Sequence, residues 1–109
     1  MAQCSVELDE VFLALADPTR RTVLHRLGQG PASVGDLARD ATMTLPSFLK
    51  HVRMLESSGL IRTAKSGRVR VCELNRERFA VVENWLAEQH RLWEARTDRL
   101  ERFVTDPKE

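Results

Sequence analysis

A chain of 109 residues with 42% apolar and 30% charged side chains has the length and composition of one globular domain, too small for a deep catalytic cleft. No apolar run approaches the ~18 to 20 residues that span a bilayer, and the N-terminus lacks the basic-then-apolar order of a secretion signal, so a cytoplasmic protein is expected. The net charge of +1 conceals a middle stretch, residues 39–70, with seven Lys/Arg against two Asp/Glu, the footprint of a surface that meets a polyanion.

Leu8, Val11, Phe12 and Leu15 recur at helical spacing, and Ser5 is placed to cap a first helix over 5–16. Asp17-Pro18 ends that helix and starts a second, because Asp caps well and Pro suits the first helical position. Val23, Leu24 and Leu27 form the buried stripe of this second helix, which Gly28 to Pro31 stops. Ser33 caps a short third helix with Val34, Leu37, Ala38 and Ala41 inward. Only Thr42, Met43 and Thr44 separate it from a fourth helix, so 33–59 reads as a helix-turn-helix. Phe48, Val52 and Leu55 fall on one face of the fourth helix, and Gly59 suits the left-handed position past its end.

Residues 60–74 then read as a two-stranded hairpin, turned at Ser66-Gly67. Alternation puts Val69 and Val71 on a packing side and Arg68 and Arg70 on an open one; Cys72 and Leu74 share the arginines' parity, so the hairpin base has both sides covered. Residues 76–104 contain no Gly or Pro and form one long helix with Phe79, Val82, Leu86, Trp93, Leu100 and Phe103 at helical spacings and Trp85 and Leu92 as a second seam. That apolar surface exceeds what one small domain covers. It is expected to be a homodimer interface formed by Leu8, Phe12, Trp85, Leu92, Trp93, Leu100 and Phe103; the competing reading puts both tryptophans in the monomer core. Residues 105–109 read as a frayed tail. The fold class is thus mostly α with a small β-hairpin: one winged helix-turn-helix domain over 1–109, with about five helices, a two-stranded wing and a long terminal helix.

Opposite the Phe48/Val52/Leu55 stripe lie Pro46, Ser47, Lys50, His51 and, at the shoulder, Arg53. Ser47 and Lys50 are expected to meet base edges; Thr44, His51 and Arg53 are expected on phosphates, where a helix N-terminus normally binds anions. Lys65, Arg68 and Arg70 place wing charge on phosphates or in a minor groove. Arg20 and Arg21 follow the Asp-Pro cap; an ion pair with Asp17 or a nearby acid is expected, with contact of one of them to the DNA backbone as the alternative.

The chain resembles the ArsR-type family of bacterial winged-helix repressors over about residues 8–104. The resemblance rests on Leu13-Ala14-Leu15-Ala16-Asp17-Pro18-Thr19-Arg20, Gly35-Asp36-Leu37-Ala38, Ser47-Phe48-Leu49-Lys50-His51-Val52, Leu55-Glu56-Ser57-Ser58-Gly59-Leu60-Ile61 and Gly67-Arg68. It implies a symmetric homodimer, joined by its first and last helices, that covers an inverted repeat in a promoter until an effector or modification releases it. Leu45 and Leu49 stand where similar repressors more often carry Gln and Ser; they either touch thymine methyls or turn inward.

The resemblance also raises metal sensing, but Val34-Gly35-Asp36-Leu37-Ala38 has no cysteines and the last helix offers only His90 with Glu94, so no metal or other cofactor is expected. Cys4 and Cys72 make no CxxC pair, and neither a disulfide framework nor a zinc finger is indicated. No Gly-rich phosphate loop, nucleophile elbow or paired catalytic carboxylates appear, so the chain is not expected to be an enzyme. The leading reading is a transcriptional repressor with duplex DNA and a second copy of itself as partners. Two others stay open: a winged-helix protein-interaction module, and an effector- or redox-gated sensor using Cys72, whose thiol neighbouring cations would activate.

Overall fold

The computed structural model describes residues 2–105, with side chains over 6–102; the side chains of Cys4, Ser5 and Phe103, and nearly all of the expected tail, lie outside the described residues. The elements run α1 (Ala2–Leu15), α2 (Pro18–Leu27), β1 (Ala32–Ser33), α3 (Val34–Arg39), α4 (Leu45–Ser57), β2 (Ile61–Ser66), β3 (Val69–Leu74) and α5 (Arg76–Thr105). α1 begins a turn before the expected Ser5 cap.

Local chemistry sets most of the boundaries. Asp17 Oδ1 accepts the Thr19 and Arg20 N–H groups at 2.7 and 3.3 Å, capping α2 ahead of Pro18. Ser33 Oγ accepts the Asp36 N–H at 3.0 Å at the start of α3, and Thr44 caps α4. Arg20 and Arg21 do not pair with Asp17 as expected. They close the other side of the junction: Arg20 Nε and Nη2 donate to the Ala14 and Leu13 carbonyls at 2.8 and 3.0 Å, and Arg21 Nη1 to Leu15 at 2.7 Å. These are the last carbonyls of α1, which have no partner within the helix.

The sheet has three antiparallel strands in the order β1-β3-β2, one more than the hairpin expected. β1 is two residues long, pairing Ala32 with Cys72 and Ser33 with Val71, too short for any periodicity to announce it. Burial on β3 also departs from expectation: Cys72 is fully buried and Leu74 packs on the core, while Val69 is exposed. The reason is the partner. α2 and α3 pack against β3, so the Cys72/Leu74 face is the inner one, and Arg70 shares it but lies beyond the core's edge.

The core joins Val11 and Ala14 of α1 to the α2 stripe, Leu37, the Phe48/Val52/Leu55 stripe, Leu60 and Ile61. Gly59 takes φ +87° past the end of α4, and a Cβ there would sit 2.5 Å from Arg78 Nε. Arg78 Nη1 in turn reaches Glu7 Oε2 at 3.5 Å, so this arginine of α5 bridges α1 and the α4 terminus. Gly59→Ala is expected to lower stability by about 1–2 kcal/mol, most of it from the left-handed backbone, with Arg78 swinging aside. A urea midpoint equal to that of the parent chain would contradict this.

α5 leaves the core partway along its length. Phe79 and Val82 pack on the core, and Trp85 meets Phe12 of α1 edge-to-face, with centroids 5.7 Å apart. Beyond this point the helix overhangs: every described side chain from His90 to Arg102 is exposed. Trp85 is 40% and Trp93 49% exposed, which overturns the reading that placed both in the monomer core. The Cα envelope, 73 × 28 × 22 Å, is drawn out accordingly.

Candidate nucleic-acid interface

The buried Phe48/Val52/Leu55 stripe fixes which face of α4 turns outward. Thr44, Pro46, Ser47, Lys50 and Arg53 are all exposed on it. At its N-terminus, Thr44 Oγ1 accepts the Ser47 N–H at 3.4 Å and donates to Ser47 Oγ at 3.1 Å, while the helix dipole adds positive potential. Leu45 is 55% exposed, so it does not turn into the core; Leu49 is half-buried.

The hairpin stands beside this helix and is tied to it. Thr63 Oγ1 donates to Glu56 Oε2 of α4 at 2.7 Å, and Arg70 Nη1 donates to Thr63 Oγ1 at 2.9 Å. Gly67, at φ +65°, makes the turn that carries Arg68. Lys65 lies directly opposite Arg70 in the strand register, a like-charge pair that repels until an anion comes between. Other basic residues of the middle segment are engaged: Arg39 pairs with Asp36 at 2.8 Å and Arg62 bonds Asn75 at 3.1 Å. Lys50, Arg53, Lys65 and Arg68 have no hydrogen-bond or ion-pair partner among the described residues.

His51 sits apart from the exposed set. It is half-buried, and its Nδ1 is turned toward the start of α2, 3.0 Å from Arg20 Nη1 and 3.9 Å from Asp17 Oδ1. Burial of the Asp17 carboxylate works to raise its pKa, but the N–H bonds from Arg20 and Thr19, helped by the Arg20 guanidinium, hold it below the ordinary 3.8. Nothing in the sequence pointed to this junction, because Arg20 and His51 lie 31 residues apart.

The cations expected to activate Cys72 do not prevail at this buried thiol. Burial pushes its thiol above the ordinary 9.0, Glu56 adds to the push, and Arg70 opposes without reversing it. Among the described residues no three His, Cys, Asp or Glu side chains converge, and His90 packs edge-on against Trp93 at 5.3 Å.

A family model described as a helix-turn-helix domain matches residues 15–64. The crystal structure of an ArsR family transcriptional regulator superposes with a TM-score of 0.80 at 58% identity, covering 83% of this chain and 93% of that one. The transcriptional repressor SdpR of Bacillus subtilis is 30% identical over 79 residues, 72% of this chain and 88% of that protein. The HTH-type transcriptional regulator Rv2034 of Mycobacterium tuberculosis is 39% identical over 67 residues; the match spans 62% of this chain and 63% of that regulator. On the strength of these likenesses, the chain belongs to the ArsR family of winged helix-turn-helix transcriptional regulators.

Proposed function

We propose that this regulator is a homodimeric repressor that reads an inverted-repeat operator, each protomer laying α4 in a major groove and the β2–β3 wing along the neighbouring backbone. The observation that carries the reading is a set of four cations without partners among the described residues, Lys50, Arg53, Lys65 and Arg68, shared between the outer face of α4 and a wing hydrogen-bonded to it. Ser47 and Lys50 meet base edges, with Leu45 available for a thymine methyl; Pro46 lines the groove. Thr44, Arg53, Lys65, Arg68 and Arg70 hold phosphates, and His51 is taken up below. The exposed apolar seam of α1 and α5, with Phe12, Trp85, Leu92, Trp93 and Leu100 and the half-buried Leu8, supports self-association. Phe103 continues the same seam in sequence.

Titration of a duplex selected from a randomised pool, repeated at several salt concentrations, tests this. A repressor holding six to ten phosphates is expected to lose about 10³–10⁵ in affinity between 50 and 200 mM salt and to prefer the selected duplex over random DNA. A flat salt response without sequence preference would point instead to a protein-docking module.

A further inference from the structure

Behind α4, one guanidinium has all three of its nitrogens engaged. Arg20 Nε and Nη2 hold the last carbonyls of α1, and Nη1 lies 3.0 Å from His51 Nδ1. Because a guanidinium only donates, Nδ1 is the acceptor and carries no proton, so the proton of the neutral ring is on Nε2. Asp17 does not compete for Nδ1: at 3.9 Å it is beyond hydrogen-bond reach, and its Oδ1 already accepts two backbone N–H groups. Nε2 has no partner among the described residues, and none of their buried side-chain nitrogens or oxygens is left unsatisfied; Nε2 therefore reaches solvent, on the residue next to the exposed Lys50.

We propose that Arg20 and His51 form a relay in which Arg20 is a positioning residue: it fixes the tautomer and ring plane of His51, so that α4 offers a pre-aimed, uncharged Nε2–H to a backbone phosphate. The proposal rests on the DNA-binding reading above. A phosphate oxygen is the fitting acceptor because a lone neutral donor at the helix shoulder positions the protein rather than reading a base. The relay also joins the junction that ends α1, a helix of the proposed dimer seam, directly to the helix that meets DNA.

Two measurements on the full-length protein test it. Nitrogen-15 NMR of the imidazole is expected to show His51 as the Nε2–H tautomer at neutral pH, and Arg20→Gln is expected to weaken that preference. In duplex titrations, His51→Leu is expected to lose about 5- to 20-fold in affinity for selected and random duplexes alike, with the salt slope unchanged because no cation is removed. His51→Gln keeps an acceptor for Arg20 and a donor for phosphate, and is expected to stay within about 3-fold of the parent chain. Adding Arg20→Gln to His51→Leu is expected to cost no further affinity, although it lowers thermal stability by freeing the α1 carbonyls. An Nδ1–H tautomer, a salt slope reduced by about 0.9 for each lost contact in His51→Leu, or parent-like binding by His51→Leu would each overturn the relay while leaving DNA binding intact. A parent chain that binds no duplex removes the DNA reading and the relay together.

Discussion

Leu92→Glu combined with Trp93→Glu is expected to give a folded monomer that no longer holds an inverted-repeat duplex. Both side chains are 49% exposed, on the stretch of α5 that has left the core, so removing them opens no cavity in the protomer. Glutamate is also a good helix former, and α5 should persist. In a dimer the same positions lie inside the proposed seam, where burying a leucine or tryptophan contributes about 1.5–3 kcal/mol each. Four such side chains lost from a symmetric interface, with four carboxylates in their place, weaken association by at least several kcal/mol, roughly a thousandfold or more. Sedimentation equilibrium at micromolar protein is expected to give the mass of two chains for the parent and one for the variant. Equal masses, or loss of the fold in the variant, would contradict the assignment of this overhang to self-association.

The second large effect concerns the wing. Changing Lys65, Arg68 and Arg70 together to Gln removes three cations per protomer and six per dimer. If each neutralises one phosphate, the salt slope flattens by up to about 5. Affinity for selected and random duplexes should fall together, by about 10²–10³ at 0.1 M salt, whereas Lys50→Ala should alter sequence preference by about 1–3 kcal/mol at one base pair. Stability should hold or rise, since Lys65 and Arg70 face each other across the strands and their mutual repulsion goes with them. A triple variant with the parent salt slope would show that the wing does not touch DNA.

Where local chemistry decides the structure, the sequence was a sufficient guide. Asp17-Pro18, Ser33, Thr44 and Gly59 each satisfy or end a helix through atoms within a few residues, and all four lie at the boundaries expected of them. The stripe of Phe48, Val52 and Leu55 likewise fixed the outward face of α4. Expectation failed where contacts cross the chain. β1 exists because β3 offers it a free edge, and the inner face of β3 was decided by where α2 and α3 pack, which alternation alone does not reveal. Arg20 was expected to pair with the nearest acid, yet three acceptors from α1 and α4 outcompete Asp17 for its guanidinium. The expectation that cations activate Cys72 met the same obstacle: Arg70 is close in sequence, but burial dominates the thiol.

In the proposed complex, the two α4 helices of one dimer read half-sites on the same side of the duplex, one helical turn apart. Placing 5 or 10 additional base pairs between the half-sites of the selected duplex and measuring affinity checks this arrangement. A 5 base-pair insertion turns one half-site to the far side and is expected to reduce binding to that of a single half-site, with 10 base pairs restoring the facing but overstretching the span. Affinity unchanged by the 5 base-pair insertion would contradict this facing of the two helices.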